Sequence, residues 1–213
     1  MALSSEKKQA RKDHILDIAE SLIRKNGATA FTMRELADAA KVSFATPFNL
    51  LGSKDDILQG LIDRSITENY KALKVESDPI GFFFSTTNSL VQKYIKDDVY
   101  FKVLLSSVSP SKEKFEIPIN SWMIALDNFF QEGIISSEFD KQQIAEHLEL
   151  IFVGSAVLWM SGYLDNKAWA AQYQYSIAAA LIGFIKKRDA KEQVRDFLLD
   201  AEKTLVKLRK RKS

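Results

Sequence analysis

The chain contains no cysteine, which excludes disulfides and thiolate metal sites and fits a reducing compartment. Only four prolines and eight glycines interrupt its 213 residues. No stretch alternates in the manner of a half-buried strand, while helix-period patterns recur throughout, so the chain reads as all-α. No run of about 18 apolar residues occurs, and no transmembrane helix or membrane partner is expected. The opening MALSSEKKQARKDH lacks the apolar centre of a signal peptide, so a cytoplasmic protein is expected. Catalytic signatures are equally sparse. His14 and His147 sit in separate helical regions without a second ligand at metal-binding spacing. Gly154-Ser155 lacks the G-x-S-x-G frame, and no glycine-rich phosphate loop occurs. The expectation is a non-enzyme with no cofactor and no metal.

Charge is present but unevenly spread beneath a net +2. Residues 1–54 hold nine basic and six acidic side chains, residues 55–185 ten and seventeen, and residues 186–213 eleven and five. Basic ends around an acidic middle suggest that only part of the molecule meets a polyanion.

Periodicity places a first helix over about 7–25, with Ile15, Leu16, Ile18, Ala19, Leu22 and Ile23 on its apolar face and Asn26-Gly27 as its stop. Thr32 with Glu35 three residues on forms a capping box for a second helix over about 33–40. Ser43 is expected to cap a third over about 44–50. Ser53, with Asp55 and Asp56 behind it, caps a fourth running to about 75, with Tyr70 on its inner side. Further helices are expected at about 79–96, 98–107, 116–132, 140–163, 168–187 and 189–211, with Pro110 and Pro118 punctuating one loop.

Two short helices joined by a tight turn over residues 32–54 suit a helix-turn-helix, whose second helix enters the DNA major groove. The segments ILDIAESLIRKNG, ATAFTMRELADAAKVS and FATPFNLLGSKDDIL, from about residue 14 to 61, resemble the N-terminal domain of TetR-family bacterial transcriptional regulators. The resemblance implies a DNA-binding domain over 1–54 and a helical effector-binding and dimerisation domain over 55–213, with the helix from 53 linking them. Double-stranded operator DNA, a homodimer and a hydrophobic small-molecule effector are the implied partners.

The DNA-contacting set that follows is Thr32, Arg34, Ser43, Phe44, Ala45, Thr46, Pro47, Phe48, Asn49 and Lys54. Thr46 can hydrogen-bond a base or phosphate, and Phe44 and Pro47 can touch a thymine methyl. Lys54 matches the family's phosphate-contacting lysine, and Lys7, Lys8, Arg11 and Lys12 form a basic arm. Phe48 stands where the family usually has tyrosine, and it and Leu51 suit core anchoring better than DNA contact. With few donors on the third helix, apolar contact, shape and backbone charge are expected to carry recognition.

The implied effector pocket draws on Phe83, Phe101, Leu104, Trp122, Met123, Leu126, Phe152, Trp159 and Met160. The implied dimer interface draws on Ile151, Ser155, Leu158, Tyr173, Ile177, Ala180, Leu181 and Phe184, with two recognition helices roughly 34–36 Å apart on a palindromic operator. Repression relieved by the effector is the expected mode. The rival reading is a protein of this fold acting as a nucleoid-associated or protein-binding adaptor without a small-molecule effector. The basic tip Arg209, Lys210, Arg211 and Lys212 could add weak, salt-sensitive DNA affinity.

Overall fold

The computed structural model describes residues 5–27, 30–72, 78–107 and 120–210. Pro110, Pro118, Arg211, Lys212 and the side chain of Tyr70 lie outside the described residues. The described chain is helical, with helices α1 (Ser5–Asn26), α2 (Met33–Ala39), α3 (Ala45–Leu51), α4 (Lys54–Ala72), α5 (Pro79–Lys96), α6 (Asp98–Ser107), α7 (Asn120–Gln131), α8 (Lys141–Met160), α9 (Asn166–Leu181) and α10 (Arg188–Lys210).

The chain divides into two compact units. The first comprises residues 1–70 and 96–111, so it takes in α4 and also α6, which the boundary expected at residue 54 assigned to the second domain. The second comprises residues 71–95 and 112–213. The sequence-distant α6 joins the first unit through a largely apolar inner side, Tyr100, Phe101 and Leu104, which is buried.

In the first unit α1, α2 and α3 pack on one another, and α6 packs on α1. Ile15, Ala19 and Ile23 form the buried stripe of α1 at helical spacing. Phe31, Leu36, Ala37, Ile57, Leu58 and Leu61 complete the core. Charge pairs line its rim. Arg64 of α4 donates to Asp17 at 2.5 Å and to Glu20 at 2.6 Å on α1. Arg24 of α1 reaches Asp97 at 2.6 Å and lies 4.0 Å from the centre of the Tyr100 ring.

The second unit is built around α9, against which α8 and α10 both pack, with α7 against α8. Asp140 and Asp165 cap α8 and α9 by accepting from the Gln143 and Ala168 amides, both at 2.9 Å. Trp159 and Trp169 stack at 4.0 Å with 13° between their planes, and both are fully buried. Their indole N–H groups donate to Asn166 Oδ1 at 2.7 Å and Ser155 Oγ at 3.2 Å, so neither buried donor is left unmet. The α9–α10 connection is held by an isolated antiparallel bridge between Ile135 and Ile185. Phe197 of α10 stacks on Phe84 of α5 at 4.2 Å, which makes α10 part of this core rather than an appendage.

Candidate nucleic-acid interface

The capping box expected for α2 is present. Thr32 Oγ1 accepts from the Glu35 amide at 3.2 Å, and the Glu35 carboxylate accepts from the Thr32 amide at 2.7 Å. Donation from the Thr32 amide, and from its hydroxyl at 2.9 Å, to the ionised carboxylate holds Glu35 below its usual range. The far end of α2 closes through the Val42 amide donating to the Ala37 carbonyl at 3.0 Å and the Lys41 amide to the Asp38 carbonyl at 3.1 Å. That closure requires a left-handed residue, and Lys41 fills it at φ 54°. Sequence reasoning missed Lys41, since a lysine gives no sign of a left-handed turn where glycine usually stands. The turn leaves its exposed side chain beside α3 in the sequence.

Ser43 does not cap α3 as expected. The residue preceding the helix is Phe44, which provides no side-chain cap. Ser43 Oγ instead lies 2.7 Å from Thr46 Oγ1, and the Thr46 amide donates to the Ser43 carbonyl at 2.9 Å. One of the two hydroxyls expected to face DNA therefore directs its proton to the other. Pro47, expected on the reading side, is buried, because it faces the core made by α1 and α2. Leu51 is half-buried, whereas Phe48, for which core anchoring was equally expected, is 42% exposed.

What α3 does present is aromatic. Phe44 is 51% exposed, and its ring meets that of Phe48 edge-to-face at 5.5 Å. Ala45 and Asn49 are exposed on the same short helix, which bears no charged residue. Cations flank it in the chain. The Arg34 guanidinium lies 5.5 Å from the Phe44 ring centre, and Lys54 Nζ lies 4.8 Å from the Phe31 ring centre. Gly52, at φ 95°, turns the chain into α4. There Ser53 and Asp56 form a second reciprocal cap, with the Asp56 amide donating to Ser53 Oγ at 3.2 Å and the Ser53 amide to the Asp56 carboxylate at 2.8 Å. These caps fix where α2 and α4 begin, and thereby hold Arg34 and Lys54 around an uncharged α3.

Residues 15–61 match the family model described as bacterial regulatory proteins, tetR family. Residues 15–61 form a TetR-family helix-turn-helix segment. Solved structures agree at the level of the fold. A TetR-family transcriptional regulator from Pectobacterium atrosepticum superposes with a TM-score of 0.57 at 15% identity, over 87% of this chain and 99% of that one. A TetR regulator, tylp, from Streptomyces fradiae gives 0.55 at 16% identity, over 93% and 97%. A structure described as a gamma-butyrolactone receptor (ArpA like protein) gives 0.50 at 15% identity, over 92% and 98%. A search of curated protein sequences gives no match. The chain has the TetR-regulator fold.

The other expected sites of this TetR-like chain are differently placed. Of the anticipated dimer residues, Ser155, Tyr173, Ile177 and Leu181 are buried within the protomer, where α8, α9 and α10 pack, and so are internal core. Ile151, Ala180 and Phe184 are half-buried, and Leu158 is exposed. The apolar strip left open on α8 runs instead through Leu150, Val153, Val157 and Leu158. Of the anticipated pocket residues, Phe101 and Leu104 belong to the first unit. Phe83, Trp122, Leu126 and Trp159 are buried in the second, with Met123, Phe152 and Met160 half-buried. The Phe83 ring lies 5.9 Å from that of Trp122, and the Phe152 ring 5.8 Å from that of Tyr173.

Sequence reasoning also missed Glu149, which accepts from Trp122 Nε1 at 2.7 Å among these aromatics. Burial pushes its carboxyl up to about 7, against the opposing pull of the Trp122 hydrogen bond. The signal was available. Glu149 lies four residues after Ala145 and three before Phe152, on the inward side of α8. A separate cleft of about 180 Å³ lies among Asp78, Glu132, Lys187, Asp189 and Gln193. Pro79, Ile80, Ile134 and Ala190 complete its lining, and it is smaller than the roughly 300–1,000 Å³ typical of ligand pockets.

Proposed function

We propose that this protein is a homodimeric DNA-binding transcriptional regulator, a cytoplasmic repressor that releases a palindromic operator when a hydrophobic small molecule binds. The observation that carries the reading is the solvent-facing surface of α3. A helix of that length, seated by buried Pro47, preceded by exposed Phe44 and bearing exposed Phe48 and Asn49, suits insertion into a major groove. Arg34, Lys41 and Lys54 supply charge for the flanking phosphates.

Two further features support the finer parts of the reading. The exposed strip Leu150, Val153, Val157 and Leu158 on α8 is apolar, and Gly154 within it would leave an added Cβ touching nothing. Such a strip suits a two-fold helix pairing, which would present two α3 helices to successive turns of one duplex face. The aromatic interior around Phe83, Trp122, Phe152 and Tyr173, with Glu149 as its polar group, suits a mostly apolar effector carrying one hydrogen-bond donor. The effector would act by preferring the dimer form whose recognition helices are wrongly spaced, and it could weaken DNA binding only by that differential affinity.

A gel shift on the DNA flanking the protein's own gene tests this reading. Binding that resists competitor DNA is expected. Equal binding to all sequences with a steep salt slope would favour the nucleoid or adaptor alternative, which the scarcity of donors on α3 makes the proper comparison.

A further inference from the structure

The side chains that α3 offers to a partner set a constraint on what it can read. Arginine, lysine and paired amides discriminate bases by hydrogen bonds, and α3 has no charged residue. The Ser43 and Thr46 hydroxyls are engaged with each other at 2.7 Å. The exposed remainder is two phenyl rings in mutual contact, one alanine and one asparagine, which is the only side-chain amide on α3. Only one group on a base-pair edge in the major groove is apolar, the C5-methyl of thymine, and 5-methylcytosine presents the same methyl at the same position.

We propose that the Phe44–Phe48 pair is a reader of pyrimidine C5-methyl groups, so that operator recognition depends on a methyl rather than mainly on a donor–acceptor pattern. This rests on the DNA-binding reading given above. Pro47 is excluded from the role by its burial, and Phe48 enters it by its exposure. The occupant is duplex DNA because one guanidinium lies against the apolar pair and two lysines flank α3 in the chain. Arg34 stands 5.5 Å from the Phe44 ring centre, Lys41 is exposed in the preceding turn, and Lys54 follows α3. An apolar pair with the Arg34 guanidinium at its side complements a methyl in a groove walled by phosphates.

The test starts from the full chain and the best-bound duplex selected from a random-sequence DNA pool. Each thymine of that duplex is replaced in turn by deoxyuridine, which removes only the methyl, and each cytosine by 5-methylcytosine, which adds one. At one or more positions deoxyuridine should weaken binding roughly fourfold, the value of one buried methyl-sized group, or 5-methylcytosine should strengthen it to a similar degree. The first arm identifies thymine as the source of the methyl and the second identifies 5-methylcytosine. Phe44→Ala and Phe48→Ala, both at exposed positions, should keep wild-type helicity and lose that methyl dependence. Affinity unchanged at every replaced position would overturn the proposal while leaving sequence-specific binding intact. A methyl effect that persists in both alanine variants would also overturn it. If the pool yields no preferred sequence, the DNA-reading assignment itself fails and the proposal fails with it.

Discussion

At the scale of single residues, two positions carry consequences out of proportion to their size. Gly52 holds φ 95°, and a Cβ there would strike the Asp56 carboxylate that caps α4. Gly52→Ala should therefore strain the backbone and disrupt the Ser53–Asp56 cap together, lowering stability by about 1–3 kcal/mol in thermal or denaturant unfolding. Stability equal to wild type would contradict the role given to this turn. Glu149 makes a prediction about pH. Its folded carboxyl titrates near 7 against an ordinary value of 4.5, so the fold favours the protonated form. Its contribution is complete below the unfolded value and is lost as pH rises from there through about 7. Glu149→Gln keeps an acceptor for Trp122 and removes that loss. The variant should match wild type near pH 4.5 and exceed it by about 1–3 kcal/mol at pH 8. Parallel stability-against-pH curves for the two proteins would refute the assignment.

At the scale of helices and turns, the sequence was legible wherever local chemistry decides structure. The Thr32–Glu35 box, the Asn26-Gly27 stop and the helical periodicity located the helices to within a few residues, because caps and apolar spacing are short-range signals. The expected helix over 168–187 ends earlier, at Leu181, because the following segment bridges back to Ile135. What could not be read is which face of each helix a neighbour covers. Tyr173, Ile177 and Leu181 share a stripe that suits a dimer interface or a core equally well, and only the packing of α8 and α10 on α9 decides between them. Pro47 and Phe48 show the same limit at the candidate site. Neighbours on a seven-residue helix, they differ in burial because α1 and α2 cover one side of α3 only. The strip that does remain open on α8 yields a direct expectation. On the proposed two-fold pairing, Val157→Glu or Leu158→Glu should shift the protein to a monomer in sedimentation equilibrium without loss of helicity, since both side chains are exposed in the protomer. A dimer that persists in both variants would remove α8 from the interface.

At the scale of the whole molecule, a basic N-terminal segment, an acidic middle and a basic end are joined in one all-helical chain. DNA affinity should fall steeply with salt through the phosphate contacts, while sequence preference should follow the α3 surface. Arg34→Ala is expected to weaken all duplexes alike and flatten the salt dependence by about one contact. Phe48→Ala is expected to erode preference while leaving that dependence in place. The measurement that bears most directly on the DNA-reading assignment is the ratio of affinities for the selected duplex and a scrambled one at matched salt, by fluorescence anisotropy with the full chain. A ratio on the order of 10³ or more for wild type, reduced severalfold in Phe48→Ala, is the predicted result. A wild-type ratio near one would contradict it.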